Sequence, residues 1–558
     1  MPISYLSAAQ ISNLSTTRLQ ALSTTSMSQL KATQVGAIST TGIGLLAVTQ
    51  VQELTGTAVK GLSTTQIPLF QPAVVFDTDQ LVALSGAQVN AFTDTHLAAL
   101  DTAHVAVLSA AQLAGLSGLK FSNFTNTQVA AMSTTQVRGL TTVQLAGLTT
   151  TDMGEFASTH IGALTATQVA ALPGANVASL STTQIGALSS TQVGALSSTG
   201  LAALDATQMS GLTSTQVAGL SATQLRTLSG TDFNELSDVQ IGGFTSTQIG
   251  ALTATHLSAL TSTEVQAFNS TQMKGLTAIQ MGGLTTTDFG KFSTTQIEAF
   301  TPTQMGGLSV TNLFSLSDPQ LHGLSTTMIQ GLTGTQLSAA GSSDFNRLTT
   351  TQLRAFTATQ IGSLSVTNFS GLDSTAIRAF TTTQIKGLSA FQAHSLSAAD
   401  AEEFTSTQLT VLSNDQIAAF SRTALLALST TQVSGLTAGQ IGAISTTNLN
   451  SFDTTQVDAL TTTQVKGLTV GQIASMGLAD FARFNTTQIG AFSVTQVPAM
   501  STTLISGLDE TQIAAFTPTQ IPKLTVSQIQ SLSTTQVGAM SAAQLNAMTA
   551  IQVQNLPT

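Results

Sequence analysis

Residues 180–204 read LSTTQIGALSSTQVGALSSTGLAAL. An octad recurs with small changes, and the way it folds decides the architecture of the chain. Counted from its leading residue, the octad has large apolar side chains at positions 1 and 6, hydroxylated residues at 2 to 4, Gln at 5, and Gly or Ala at 7 and 8. In a strand, positions 1 and 6 would point to opposite faces, because side chains alternate with a period of two. In one continuous helix, eight residues make two turns plus about 80°, so the apolar stripe would wander around the axis.

One very short helix per octad fits every position. Ser or Thr at position 2 is an N-cap, and Gln at position 5 is then the third helical residue. The pair forms a capping box: the hydroxyl takes the Gln backbone amide and the Gln side chain returns to the cap amide. The leading residue and the apolar residue at 6 become a hydrophobic staple. In the quoted stretch Ser181 and Gln184 are the box, and Leu180 and Ile185 the staple. Substitutions follow the same logic. Asp205, Asp373, Asp453, Asp509, Asn269 and Asn485 replace the cap; Pro302 and Pro518 fall at the first helical position; Glu264 replaces Gln. Gly or Ala at 7 and 8 is expected to let the helix end and to let backbones approach closely.

The frame opens at Leu6, Leu14, Leu22, Leu30, Ile38, Leu46, Leu54, Leu62 and Phe70. The stretch 71–83 then inserts six extra residues, and the frame runs from Leu84 to Leu556 without a slip. So strict a register argues against independent globular domains and for a solenoid whose units contact mainly their neighbours. The expected organisation is a repeat segment over 1–70, a register-breaking insertion over 71–83, and a continuous solenoid over 84–558.

A slower period lies inside the octad. The lapses of Gln at position 5 include a series at Asn176, Gly200, Asp232, His256, Asp288, Asn312, Asp344, Asn368, Asp400, Ala424, Asn448, Asp480 and Leu504. The spacings alternate mostly between 24 and 32. Their mean predicts an all-α superhelix of very short capped helices with about three and a half octads per turn. Several of these repeats carry Phe at position 6 and a charge nearby, as in TDFNEL, TDFGKF, SDFNRL and ADFARF. Asp232, Asp288, Asp344, Asp400, Asn312, Asn368 and Asp480 are therefore a candidate lateral contact stripe. The earlier lapses at His96, His104 and His160 fall out of step with it.

The 558 residues include 16 Lys plus Arg and 26 Asp plus Glu, for a net charge of -10, and no Cys. That balance leaves no basic footprint for nucleic acid and no thiolate metal site. No apolar run reaches the length of a membrane span. His96, His104, His160 and His256 occupy the Gln position as polar partners near helix N-termini, and His322 and His394 are expected on the surface. No HExxH spacing, calcium loop, GxSxG elbow or phosphate-binding Gly loop is present. The Asp series is accounted for by capping and the helix dipole. No catalytic, cofactor or metal residues are expected, and the chain reads as a non-enzyme. The opening MPISYLSAAQISNL lacks the basic and apolar regions of a signal peptide.

The unit LSTTQIGA resembles the Leu-Thr-rich octapeptide repeats of large bacterial proteins described as surface, adhesin-like or secreted. That resemblance implies an extracellular or cell-surface location, reached without an N-terminal signal peptide. Two functions follow. The first is a structural protein that self-associates into a filament or surface layer. The second is an adhesin stalk or scaffold whose longitudinal face binds a protein or glycan.

Overall fold

A computed structural model describes residues 3–73 and 75–558, with backbone only for Ser342. Among the described residues every regular element is a helix of three to six residues, and no strand occurs. The contacts divide the chain into two units, up to Leu276 and from Thr277 onward. Each has the same internal construction.

In the first unit, Ser181 is extended (φ -66°, ψ 158°) and its side chain accepts from the Gln184 amide; helix Thr182–Gly186 follows, ending at Ala187. The next cap, Ser189, opens helix Ser190–Ala195, after which Leu196 is extended. In the second unit, Thr437 caps helix Ala438–Ala443 in the same way and Ile444 is extended. The α-helix thus starts at position 3 and ends at 6, 7 or 8, and the extended residues at 1 and 2 make the corner. Asp205, Asp373, Asp453, Asp509, Asn269 and Asn485 all cap as the octad predicts. Pro302 opens its helix. Where proline falls at position 7 instead, as Pro68, Pro498 and Pro522, it has no amide to close an α-turn and the segment tightens to a 3₁₀ turn.

Helices pack on the third helix along: Ala166–Ala170 on Ser190–Ala195 in the first unit, Ala438–Ala443 on Thr462–Gly467 in the second. Positions 1 and 6 fill the interior; Leu180, Ile185, Leu188, Val193 and Leu196 are all buried, as are Leu436, Ile441, Ile444 and Leu449. The hydroxylated residues at positions 3 and 4 face outward.

The stretch 71–83 holds a repeat of its own. Asp77 caps helix Thr78–Ala83 in a full capping box with Gln80, and Phe76 is buried where a leading residue belongs. Side-chain bonds that elsewhere span 28 residues span 26 here, as from Gln80 to Leu54 and Gln88 to Leu62. The register change is therefore a connection two residues short of an octad, between Phe70 and Phe76, followed by a complete repeat.

Glycine acts differently from the sequence expectation in one respect. No described residue has positive φ, so glycine at 7 and 8 does not end the helices through a left-handed cap. Its other expected role holds. A Cβ on Gly219 would collide with Ser190 O in the turn before it, and one on Gly387 would collide with Ala358 O. Position 8 of one turn lies directly on position 3 of the preceding turn, which is why glycine is favoured at 8 wherever, as at Gly219 and Gly387, the backbones come this close. Gly387→Ala should therefore lower stability by about 1–3 kcal/mol through overpacking. Gly230→Ala, where an added methyl meets nothing within 4 Å, should raise it by about 0.5–1 kcal/mol through helix propensity. Chemical denaturation of the two variants checks both signs.

Candidate functional site

A helix of five residues leaves almost all its backbone amides and carbonyls without intrahelical partners, and here the Gln at position 5 serves both ends. Gln440 shows the arrangement. Its Oε1 accepts from the Thr437 amide at 2.7 Å, closing its own capping box. Its Nε2 donates to Leu409 O at 2.8 Å and Leu412 O at 2.7 Å, 31 and 28 residues earlier. Those carbonyls flank the corner between two helices of the preceding turn. One neutral carboxamide thus caps the start of its own helix and the end of another. Gln184 does the same through Ser181 N and Phe156 O, both at 2.7 Å. So do Gln224, Gln336, Gln464 and Gln528, all buried. The bond over 28 residues is the structural origin of the period of three and a half octads.

The lapses in the Gln column are substitutes for parts of this double bond. Asn176, Asn312 and Asn368 are one methylene shorter. Their Nδ2 reaches the preceding turn, at Leu148 O, Leu284 O and Leu337 O; the return to the cap amide is lost at Asn312 and Asn368, and the cap of Asn176, Pro173, has no amide hydrogen to give. His160 and His256 bond Met132 O and Leu228 O through Nε2, and their buried Nδ1 atoms have no partner. His96 makes both bonds, to Phe70 O and from the Thr93 amide. His104 instead pairs with its cap, Asp101, at 2.6 Å.

Aspartate performs only the cap half, having no proton to donate, and at Asp344 and Asp480 an arginine three residues on takes the other half. Asp480 caps its helix while Arg483 donates to Phe452 O at 2.7 Å. Asp344 does so with Arg347, which reaches Leu316 O and pairs with Asp318 at 2.7 Å. Asp288 pairs with Lys291 at 3.0 Å. Lys120, itself at position 5, reaches Asn90 O and Phe92 O. At Asp152 and Asp400 a serine of the preceding turn, Ser122 or Ser370, donates to the carboxylate at 2.8 and 2.9 Å. Asp232, like Asp152 and Asp400, has a glutamate where Asp288, Asp344 and Asp480 have a cation, and Glu235 Oε2 is buried without a partner.

The sequence-predicted stripe therefore lies in the seam between turns. Asn312, Asn368, Asp288 and Asp400 are buried; Asp232, Asp344 and Asp480 are half-buried. All seven direct polar atoms to groups of their own chain. His322 and His394 are exposed, and each bonds a carbonyl 25 residues later, Arg347 O and Ala419 O. Among the described residues no group of His, Cys, Asp or Glu is arranged to hold a metal ion, and no helix is long and apolar enough to cross a membrane.

The carbonyl half of the Gln bond is the feature sequence reasoning missed. A signal for it exists. Glu fills a capping box as well as Gln does and suits a helix N-terminus better, yet position 5 is Glu only at Glu264. A site that tolerates either group as acceptor but selects the amide needs its donor.

Burial, reinforced by the Asp400 and Asp373 carboxylates and opposed by Arg378, raises the Glu403 carboxyl above its ordinary range. Burial and Asp152 do the same to Glu155. A raised carboxyl binds its proton more tightly in the folded chain, so its stabilising contribution is complete at low pH and is lost as pH rises through the raised value.

A family model described as the ALTTAQ repeat matches residues 439–470, a small part of the chain that includes Gln440, Gln456 and Gln464. No curated protein matches the chain.

Gln464→Met keeps side-chain length and removes the bonds to Thr461 N, Val433 O and Leu436 O. The unpaired groups should cost about 2–4 kcal/mol, read by chemical denaturation and by faster hydrogen exchange at residues 433–440 and 461–468. Glu403→Gln should stabilise by about 0.5 kcal/mol near neutral pH and by nothing near about pH 3, checked by thermal unfolding at the two pH values.

Proposed function

We propose that this chain is a non-enzymatic structural protein of an extracellular or cell-surface assembly, which self-associates into a filament or surface layer. The observation supporting this most strongly is the uniformity of the contact between turns. Turn after turn presents Gln donors and position-8 residues on one side, and corner carbonyls and position-3 residues on the other. The exposed side of any turn is thus complementary to the opposite side of any other turn, in the same chain or in a second copy. A contact of this kind is heterologous and does not close on itself, so repetition builds a linear polymer. The weakly charged, hydroxyl-rich exterior suits close lateral packing. The extracellular location rests on the resemblance of the octad to bacterial surface and secreted repeats, and the matched ALTTAQ repeat supports the repeat character alone.

Negative-stain electron microscopy of the purified 558-residue chain, with sedimentation velocity across a concentration series, tests the reading. Uniform fibres many chains long, in equilibrium with smaller species, are expected. Particles of a single chain at every concentration would contradict it.

A further inference from the structure

Cations are scarce on this protein, 16 in 558 residues, yet two of them line one open groove. Arg354 and Arg378 border a space of about 410 Å³ together with Thr350, Ser374, Thr375 and Ala379. Both arginines hold position 7 of their octads, 24 residues apart, so they lie on successive turns of the second unit. Each is anchored by its Nε to a carbonyl of the following turn: Arg354 to Ala379 O at 3.0 Å, Arg378 to Glu403 O at 3.4 Å. The anchoring fixes the plane of each guanidinium and leaves the terminal nitrogens for another acceptor. The hydroxyls of Thr350, Ser374 and Thr375 are exposed at positions 3 and 4. No carboxylate is among the residues that line the groove; Asp373, next to Ser374, accepts from the Ala376 amide as its helix cap, and Arg378 also acts on Glu403 of the next turn.

A second groove of about 380 Å³ is bounded by Gly154, Phe156, Ser158, Ser179, Ser181, Thr183 and Gln184. It is hydroxyl-lined and carries no charge. Grooves of this size are therefore a product of stacked octads, and the paired guanidiniums distinguish the one at Arg354.

We infer that the Arg354–Arg378 groove binds a tetrahedral oxyanion, a sulfate or phosphate, carried as an ester on a sugar. Two guanidinium forks present four terminal donor groups from two turns. A carboxylate is satisfied by one fork, whereas a tetrahedral anion has enough acceptor oxygens to engage both. The groove exceeds the volume of a bare anion, and its three hydroxyls offer donors and acceptors suited to a sugar ring. The site needs no self-association and stands or falls independently of the filament reading.

Isothermal titration calorimetry of the full chain at low ionic strength tests the site, with a trisulfated heparin disaccharide, its desulfated counterpart and inorganic phosphate as probes. The sulfated sugar should bind, with affinity falling steeply as salt is added, and the desulfated sugar should not. Arg354→Gln and Arg378→Gln should each weaken binding about tenfold, the loss of one charge-assisted bond pair, and the double variant should abolish it. Inorganic phosphate binding as tightly as the sugar, with the same sensitivity to both substitutions, would support the oxyanion site and identify the free anion as its ligand. Thr375→Phe keeps both arginines and fills the groove. Position 4 carries an exposed aromatic elsewhere, Phe391, so this variant decides the matter if the arginine variants fail to fold, and it too should abolish binding. Absence of binding to any probe, or affinity unchanged in both the double variant and Thr375→Phe, would overturn the inference.

Discussion

The structure depends on one side-chain amide. Helices this short cannot satisfy their own backbones, since the first four amides and last four carbonyls of any helix lack internal partners. Buried without partners, such groups would make the fold untenable. The Gln carboxamide is the smallest neutral group with an acceptor at one edge and two donors at the other. At position 5 its acceptor meets its own cap amide, and its donors meet the carbonyls that close a corner one turn earlier. Because the partner lies at a corner between two helices, the superhelical repeat is a half-integer, three and a half octads. The same geometry brings position 8 onto position 3 of the preceding turn, closely enough at Gly387 over Ala358 that no side chain fits between them.

The constraint explains where the scarce charge goes. When the amide is replaced by aspartate, the acceptor half survives and the donor half must be supplied separately. Arg347 and Arg483 supply it from three residues further along, and Ser122 and Ser370 answer Asp152 and Asp400 from the turn below. These charged residues belong to the seam. Arg354 and Arg378 stand apart, because each donates through Nε to the following turn and not to the preceding one; Gln352 keeps the amide bond in the Arg354 repeat, and the Arg378 repeat has Ala376 at position 5.

Much of the fold was legible in the octad itself. Ser181 with Gln184 and Leu180 with Ile185 announce a helix start by two independent signals, and the lapses from Asn176 to Leu504 carry the superhelical period. These features repeat in sequence because the interactions behind them are local or strictly periodic. What the sequence hid is non-local. The bond from Gln440 to Leu412 O joins a side chain to a backbone atom, and a backbone acceptor leaves no residue-type signature at its own position. For the same reason Asp288, Asn312 and Asp400 read as a surface stripe, whereas the structure buries them in the seam. The frame slip near Phe70 was visible, but the complete repeat that follows, with Asp77 as cap and Gln80 in its box, was masked by the shift in register. The two grooves depend on side chains of successive turns converging, and only the structure shows which of them are lined by arginine.

A solenoid held by its own repeating contact, with no metal-binding cluster among the described residues, has the character of a structural repeat protein. Its integrity rests on whether the position-5 carboxamides are truly locked between turns. Side-chain amide hydrogen exchange, followed by NMR on protein labelled with ¹⁵N in glutamine alone, tests this most directly. The account predicts two populations: slow exchange for buried carboxamides such as those of Gln192, Gln440 and Gln528, and fast exchange for the exposed Gln10 and Gln330. A single fast-exchanging population at the rate of free glutamine would contradict it.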